Sequence, residues 1–271
     1  MEQLNSQINQ RQLFLHYRFL ADAKLPLPHF SDTGFRVFSQ NDEDGLLIYI
    51  FSLIGFTNKL LLDVAFASPM GSNATNLLCN WGFYGLLLEA SPSGIDSSRN
   101  FFSSYPDTCI LPPKIEHAWV TAENINQIIW ENNISGEIDL FSLDVDGVDY
   151  WLWKSLTVVQ PRVIIVEASA FINREYSITI PYQPDFDRHK IHEDYFGASI
   201  SAFIKLGKEK GYRLVACNRF GFNLLFVRND LGNAVLPEIT VDDCYSFEPH
   251  TLKQRRAERF ASIRNLPWQT I

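Results

Sequence analysis

The sequence predicts an α/β fold with a seven-stranded, mostly parallel sheet and a C-terminal antiparallel hairpin. Short aliphatic segments alternate with helical segments, which is the pattern of parallel strands joined by crossover helices. The last two apolar segments, YRLVACN and NLLFVRND, are joined by only four residues, Arg219 to Phe222. Such a short connection suits a hairpin and cannot contain a crossover helix. The 271 residues, 46% of them hydrophobic, are enough to bury a full core.

The chain is predicted to divide into three parts. Residues 1–40 are interpreted as an extension, a short helix and a loop that covers a pocket, because Pro26 and Pro28 interrupt any longer element. Residues 41–235 form the main domain, and residues 236–271 form a C-terminal tail.

The main domain is predicted to alternate helices and strands. It opens with a helix over 42–55, whose first residues are acids that favour the positive end of the helix dipole. Strands follow at KLLLDVAF, GLLLEAS, HAWVT, IDLFSLDVD and VIIVEAS. Helices are predicted at NATNLLCNW, PSGIDSSRNFFSSY, AENINQIIWENN, YWLWKSL and ASISAFIKLGKEKG. Pro92 suits the first turn of its helix, and Gly211 suits the left-handed position that ends the last one.

Composition argues against several classes of partner. The net charge is -8 and basic residues are scattered, so no basic face for nucleic acid is predicted. The one basic cluster, Lys253, Arg255, Arg256 and Arg259, is interpreted as a solvated helix face. No apolar stretch approaches the roughly 20 residues of a membrane span.

Cysteine usage predicts a reducing compartment. The four cysteines are widely spaced and form no CxxC pair, which disfavours a zinc knuckle and a secreted disulfide framework. The N-terminus lacks a basic start followed by an apolar core, so no secretory leader is predicted. We therefore expect a cytoplasmic protein whose partner is a small molecule; a homodimer is compatible with the sequence.

Acidic side chains follow two neighbouring strands. Asp144, Asp146 and Asp149 come directly after one aliphatic run, and Glu167 ends the next. Ligands of doubly wound sheets bind outside the carboxyl ends of the strands, so we expect these acids, with Asp63 and Glu89, to share one pocket there. The alternative is that single acids cap helices and face water.

The predicted element order is that of the class I S-adenosylmethionine-dependent methyltransferases, which have a Rossmann-like fold. Over about residues 35–231 the chain also resembles the FkbM-like methyltransferases. The resemblance lies in SQNDEDGLL, LLDVAFASPMGSNATNL, NWGFYGLLLEAS, GEIDLFSLDVDGVDYWLWKSL, PRVIIVEAS and KGYRLVACNRFGFNLLFVRND. It implies S-adenosylmethionine as methyl donor and a hydroxyl acceptor on a sugar or a small natural product.

The resemblance implies cofactor contacts in the loop after the first strand, through Asp63, Ala65, Gly71 and Asn73. Small residues there let the cofactor approach the backbone. The loop departs from the family pattern, because alanines replace glycines and a Ser-Pro pair replaces Asp-Gly. The alternative is a plain strand-to-helix turn with an Asn73 cap.

Two further positions match the adenosine-binding part of this fold. Glu89 ends the second strand, where a carboxylate can accept hydrogen bonds from both ribose hydroxyls. Thr121, with Glu123 close by, lies where the adenine would be held.

Asp144 and Asp146 match the end of the fourth strand, beside the cofactor and the acceptor. Methyl transfer to a hydroxyl requires alignment and removal of a proton, which a carboxylate at this edge could accept. Alternatively, Asp144, Asp146 and Glu167 could hold Mg²⁺ or another divalent metal that orients the acceptor.

The loop over 181–197 is the second predicted functional region. His189 and His192 are three residues apart, a spacing that puts both imidazoles on one helical face. We predict a catalytic histidine in a lid over the acceptor; a zinc or iron pair and a hydrated loop remain alternatives. The aromatic residues Tyr150, Trp151 and Trp153 are interpreted as core packing, with stacking on a sugar as the alternative.

The leading hypothesis is an S-adenosylmethionine-dependent O-methyltransferase. The main alternative is a degenerate Rossmann-fold binding or scaffold protein without methyl transfer, which the altered loop from Ala65 to Pro69 favours. A third hypothesis keeps the fold and uses the bound nucleotide for other chemistry.

Overall fold

A computed structural model describes residues 2–246 and 249–271. Its centre is a seven-stranded sheet in the order β3-β2-β1-β4-β5-β8-β7. The strands are β1 Leu60–Val64, β2 Tyr84–Glu89, β3 Lys114–His117, β4 Gly136–Leu143, β5 Val159–Glu167, β7 Tyr212–Cys217 and β8 Asn223–Arg228. A separate pair joins β6 Ile178–Thr179 to β9 Gln269–Thr270.

The helices pack on both faces of this sheet. They are α1 Glu2–Asp22, α2 Glu43–Ile54, α3 Thr75–Trp81, α4 Pro92–Ser104, α5 Ile125–Glu131, α6 Asp149–Ser155, α7 Ile200–Glu209 and α8 His250–Ile263. Two apolar clusters lie on opposite faces, because successive residues of a buried strand point to opposite sides. In β5, Ile164 and Val166 belong to one cluster, and Val163 and Ile165 to the other.

The strand pairing confirms the predicted fold class. The strands β1 to β5 pair in parallel, while β8 runs antiparallel to both β5 and β7. Parallel pairing aligns the carboxyl ends of β1, β2, β4 and β5 along one edge of the sheet. That edge carries the acids that the sequence singles out.

Several boundaries differ from the sequence prediction. The third strand begins at Lys114 rather than His117, because Ile115 supplies its buried side chain. The first helix is long rather than short: it continues to Asp22, and its residues Phe14 and Tyr17 pack against the aromatic rings of Trp81 and Tyr49.

The last 30 residues return to the edge of the sheet that holds the acids. The helix α8 packs there through buried Phe260 and Ile263. The strand β9 pairs with β6, which lies in the segment between β5 and α7. This return brings a basic helix beside the ends of β4 and β5. In the described part of the chain, no helix has the length and apolar character needed to cross a membrane.

Candidate functional site

The loop after β1 has a constrained backbone. Ala65 and Ala67 have φ values of 62° and 54°, a left-handed conformation that glycine adopts without strain and alanine adopts at a cost. The carbonyl of Leu88 holds this loop, since it accepts hydrogen bonds from the amides of Ala65 at 2.9 Å and Phe66 at 3.2 Å. The alanines that depart from the family pattern therefore take the conformation that the missing glycines would favour.

Glu89, at the end of β2, is oriented by backbone amides. One carboxylate oxygen accepts from the amide of Ala67 at 2.7 Å, and the other accepts from the amide of Ser91 at 2.6 Å. Each carboxylate oxygen has two lone pairs, so each keeps one for a further donor. A ribose diol could therefore bind this carboxylate without displacing either amide.

A cavity of about 150 Å³ opens beside Glu89. Its walls are mostly apolar and come from the ends of β1 and β2, the segment after β3, and the start of α6. Residues that line it include Val64, Leu88, Glu89, Ala118, Val120, Val148 and Phe186. This is about the volume of an engineered cavity that binds benzene, so as closed it has room for one flat ring.

The loop over 181–187 closes this cavity. The indole N–H of Trp119 donates to the carbonyl of Pro184 at 2.7 Å. The hydroxyl of Tyr182 accepts from the amide of Ala122 at 2.9 Å. The segment after β3 thus holds the loop, and the cavity cannot enlarge on this side unless these contacts separate.

Ala65, which is also a predicted cofactor residue, lines this cavity, whereas Asp63 lies outside its wall. Asp63 is buried, accepts a hydrogen bond from the hydroxyl of Ser72 at 2.9 Å, and interacts with Ser142. Burial raises the pKa of Asp63 to about 7, and the two serines oppose that rise. Asp63 therefore anchors the start of α3.

Gly71 and Asn73 support the backbone near α3. Gly71 has a φ of 108° and donates its amide to the carbonyl of Phe38 at 2.7 Å. The predicted Asn73 cap is wrong: α3 begins at Thr75, and the hydroxyl of Ser72 instead accepts from the amide of Ala74. The buried side-chain oxygen of Asn73 has no hydrogen-bond partner among the described residues.

Thr121 does not line the cavity; the residues just before it, Ala118 to Val120, do. The amide of Thr121 donates to the side chain of Asn124 at 2.7 Å, which starts the turn into α5. The cavity wall on this side therefore lies nearer β3 than predicted, because that strand starts earlier. The contact of Thr121 with an adenine stays a prediction that this geometry does not support.

Two half-buried carboxyls face each other at the ends of β4 and β5. Desolvation, together with the charges of Asp149 and Asp146, raises the pKa of Asp144 to about 7. Burial and the neighbouring acids also raise the pKa of Glu167 well above its usual value. Asp144 and Glu167 are hydrogen-bonded to each other, which requires that one of them carries a proton.

Asp149 has a structural role in this group. Its carboxylate accepts from the amides of Val145 at 2.8 Å and Gly147 at 3.0 Å, which shapes the loop between β4 and α6. Burial raises the pKa of Asp149 to about 6, and those two amides oppose the rise. The alternative considered for single acids, a helix cap that faces water, is wrong for Asp149, because the residue is buried and the N-cap of α6 is Val148.

Asp146 sits at the tip of that loop with a φ of 54°. One oxygen atom from each of Asp144, Asp146 and Glu167 lies within 4.8 Å of the others, a spacing that could hold a metal ion. One oxygen of Glu167 is buried and lacks a hydrogen-bond donor among the described residues. Arg188 pairs with Asp146 at 2.7 Å and would compete with a metal there.

A second cavity, of about 670 Å³, opens over these acids. Its floor contains Asp144, Asp146 and Glu167, and its walls include Phe171, Phe196, Phe220, Phe222, Arg188, Arg255, Arg256 and Arg259. The interpretation of the basic cluster as a solvated helix face agrees with the exposure of Lys253, Arg255 and Arg259. It is wrong for Arg256, which is buried, and Arg255 and Arg259 also border this cavity.

The predicted single pocket is two neighbouring cavities. Glu89 lines the smaller one and Asp144 the larger one, while the loop over 144–147 contributes to both. Asp63 interacts electrostatically with Glu89 and with Asp144, so the three acids do gather at one edge of the sheet.

The two predicted histidines lie apart from both cavities. His189 is exposed and contacts Glu193 at 2.8 Å; His192 accepts the amide of Asp194 through Nδ1. Only His189 is in the short 3-10 helix at Arg188–Lys190, so the assumed helical face does not form. Their catalytic role stays a prediction that this geometry does not support.

The residues whose place at the site was missed by sequence reasoning are mainly arginines. Arg188 precedes His189 directly, and Arg255 and Arg259 have the i, i+4 spacing of one helix face. That spacing was visible, but which face α8 buries depends on packing against a distant part of the chain.

The aromatic run after Asp149 is part of the core, as interpreted from the sequence. Tyr150 and Trp153 are buried, and Trp151 donates its indole N–H to the carbonyl of Ile180 at 2.9 Å. None of the three lines either cavity.

No family model and no curated protein matches the chain. Similar solved structures include magnesium protoporphyrin IX methyltransferase from Synechocystis PCC 6803, at 14% identity and a TM-score of 0.41, over 69% of this chain and 77% of that one. The mitomycin 7-O-methyltransferase is 15% identical with a TM-score of 0.38, over 62% of this chain and 48% of that one. A glycopeptide N-methyltransferase is 13% identical with a TM-score of 0.41, over 66% and 83%. Those structures are S-adenosylmethionine-dependent methyltransferase folds of differing reactions, and the FkbM-like assignment stays a prediction.

Proposed function

We propose that this chain is an S-adenosylmethionine-dependent methyltransferase that methylates a hydroxyl group of a sugar or another small natural product. The observation that carries the proposal is the pairing of two cavities along one sheet edge. The first has apolar walls and an oriented carboxylate, and the second has a polar floor of carboxyls with raised pKa values.

The smaller cavity fits the adenine ring of such a donor, with Glu89 placed for the ribose beside it. Its apolar walls would contact a flat ring, and Glu89 offers one free lone pair on each oxygen to a ribose diol. When bound, S-adenosylmethionine supplies an electrophilic methyl group. Its ribose and methionine parts need more than about 150 Å³, so we expect the loop after β1 or the loop over 181–187 to open for binding.

The larger cavity would hold the acceptor, with Asp144 as the group that receives its proton. A general base works best when its pKa lies near the working pH, and the pKa of Asp144 is raised to about 7. The pKa of Glu167 is raised well above its usual value, so this residue holds a proton and donates a hydrogen bond to Asp144. That hydrogen bond keeps the Asp144 carboxylate oriented. The charge of Asp146 helps to raise both pKa values.

A divalent metal is an extension of this proposal. The oxygen atoms of Asp144, Asp146 and Glu167 form a donor set of the kind that Mg²⁺ and Ca²⁺ prefer, and one Glu167 oxygen has no donor. A metal bound there would orient an acceptor hydroxyl and lower its pKa. We expect Mg²⁺ to raise the melting temperature of the protein at pH 8, and Asp146→Asn to abolish that rise. An equal rise in both proteins would place the ion elsewhere.

Titration with S-adenosylmethionine and its demethylated product tests the donor. A ligand at 100 times its Kd stabilises a protein by about 2.7 kcal/mol, which a thermal unfolding assay detects. Mass spectrometry of candidate acceptors after incubation then tests the transfer, because methylation adds one methylene equivalent. If neither S-adenosylmethionine nor its demethylated product stabilises the protein, the proposal is refuted.

A binding protein without methyl transfer is the second candidate function. The small volume of the donor cavity favours it. Ligand pockets for molecules of drug size usually measure about 300–1,000 Å³. Stabilisation by the cofactor with no methylated product from any acceptor tested would favour this candidate.

A further inference from the structure

The larger cavity is lined by more arginines than acids, although the chain as a whole has a net charge of -8. Its four arginines are Arg188, Arg255, Arg256 and Arg259. Its three acids lie together at the floor. The cavity is therefore lined by four guanidinium groups and three carboxyl groups, and the guanidinium groups lie on the side away from the floor.

Two of the arginines are held in place by the protein. Arg256 is buried, donates to the carbonyl of Phe220 and lies over the ring of Tyr245, at 4.9 Å from its centroid. Arg188 lies over the ring of Phe196 at 4.7 Å and pairs with Asp146. The buried Nε–H of Arg188 has no acceptor among the described residues. These guanidinium groups are oriented before any ligand binds.

The other two arginines lie on the open side of α8. Arg259 pairs with Asp194 at 2.6 Å and lies over Phe171 at 4.3 Å. Arg255 is exposed and makes no ion pair with any residue that the structure describes. Residues four apart on a helix are neighbours on its surface, so Arg255 and Arg259 present two guanidinium groups toward one region.

Planar guanidinium groups bind phosphoryl oxygens through pairs of parallel hydrogen bonds. A phosphoryl group has three terminal oxygens, so more than one arginine can bind it at a time. A single carboxylate has only two oxygens and offers fewer acceptor sites. Hydroxyls and other neutral groups do not need such an excess of cations. The acids at the floor would repel an anion, so the anionic end of a ligand belongs at the arginine side and its hydroxyl at the floor.

We infer that the acceptor of this cavity carries a phosphoryl group, as a sugar phosphate or a nucleoside diphosphate derivative does, and that Arg188, Arg255, Arg256 and Arg259 bind that group. This inference depends on the proposed function only in treating the phosphorylated ligand as the acceptor of the methyl group. The anion site itself stands on the cavity and its arginines.

Calorimetric titration with inorganic phosphate and pyrophosphate, at fixed ionic strength and with EDTA present, tests the site. We expect saturable binding, with pyrophosphate bound more tightly than phosphate because it can reach more arginines. Arg255→Gln removes an exposed guanidinium without breaking a described contact, and should weaken pyrophosphate binding roughly tenfold or more. Lys253→Gln removes the same charge from the same helix outside the cavity, and should change the Kd less than twofold.

Three outcomes would overturn the inference. They are no saturable binding of either anion, an equal loss of affinity in Arg255→Gln and Lys253→Gln, and tighter binding of succinate than of pyrophosphate, which would assign the arginines to a carboxylate ligand. Arg255→Lys keeps the charge and loses the planar fork, so we expect it to recover only part of the affinity.

The same titrations separate this inference from the proposed function. Pyrophosphate binding without any stabilisation by the cofactor would leave the anion site standing and refute the methyltransferase. Stabilisation by the cofactor without anion binding would refute the phosphorylated acceptor alone.

Discussion

The two cavities at the carboxyl edge of the sheet treat their acids in opposite ways. In the smaller one, both oxygens of Glu89 accept backbone amides, at 2.7 and 2.6 Å. In the larger one, Glu167 has an oxygen that no donor of the described residues contacts, and it lies next to two further acids. Both residues are glutamates that end a strand of the same sheet.

The difference separates a carboxylate made ready to bind from carboxyls made ready to exchange a proton. Amide donors favour the charged form of a carboxylate, whereas burial beside like charges favours the neutral form. Clustered acids without donors cost stability and persist where function requires them. The comparison therefore supports the proposed roles, which are ligand binding for Glu89 and proton transfer for the pair of Asp144 and Glu167.

The largest expected effect is on turnover. Asp144→Asn should lower methyl transfer by about 10²–10⁴-fold, because it removes the general base, while cofactor affinity stays within twofold. Single-turnover kinetics with saturating cofactor measures this. Asp185→Asn, at an exposed acid of the loop over 181–187, is the control. Normal turnover in Asp144→Asn would make that acid structural and erase the contrast between the cavities.

Glu89→Ala should weaken cofactor binding by about 1.5–3 kcal/mol, because the ribose hydroxyls lose a charged acceptor. Calorimetry with the demethylated cofactor measures the change, and the melting temperature of the variant checks that the loop after β1 survives the loss of its partner. Asp96→Ala, at an exposed acid of α4, should bind as the wild type does. Equal affinities for all three proteins would remove Glu89 from the site.

Glu167→Gln should raise the free energy of unfolding at pH 8, with little gain at pH 5. The folded state holds protons on Asp144 and Glu167 that the unfolded chain releases near pH 4, so the free energy of unfolding falls as pH rises toward 7 and beyond. The neutral amide introduced at position 167 does not titrate, so the variant avoids the part of this loss of stability that comes from Glu167. Urea unfolding at the two pH values measures it, with Glu209→Gln on the surface of α7 as control.

If Glu167→Gln destabilises the protein at both pH values, the carboxyl pair is a structural hydrogen bond rather than a site of proton exchange. The two cavities would then differ only in the arginines that line the larger one.

The smallest expected effect concerns the loop after β1. Ala67→Gly should raise the free energy of unfolding by up to about 1 kcal/mol, because glycine adopts a positive φ without strain. Ala90→Gly, at a cavity residue without a positive φ, should lower it instead. Thermal unfolding compares them; equal destabilisation would mean that Ala67 is not strained.

Local sequence patterns were enough to predict most elements. The strands around Leu86 and Ile164 are continuous aliphatic runs, and the four-residue turn at Arg219–Phe222 permits only a hairpin. Periodicity failed where a short element draws its stability from distant contacts: the two residues of β6 pair with Gln269 and Thr270, about 90 positions later in the chain. Nothing local to β6 marks that pairing.

The candidate site was predicted in part. Asp63, Glu89 and Asp144 do meet at the predicted edge, because each ends a strand and parallel pairing aligns strand ends. The separation of their region into two cavities follows from Asp149, which folds the loop over 144–147 by accepting two of its amides. The sequence shows the acid but not the amides it binds.

By itself, the sequence determined the fold class, the order of helices and strands along the chain, and the acids that end neighbouring strands, since these depend on residues close together in the chain. Tertiary structure alone decided which acids are bonded by amides and which repel one another. It also decided that α8 brings its arginines over the ends of β4 and β5. That placement depends on contacts between distant segments, such as the ion pair of Arg259 with Asp194, and no local pattern encodes them.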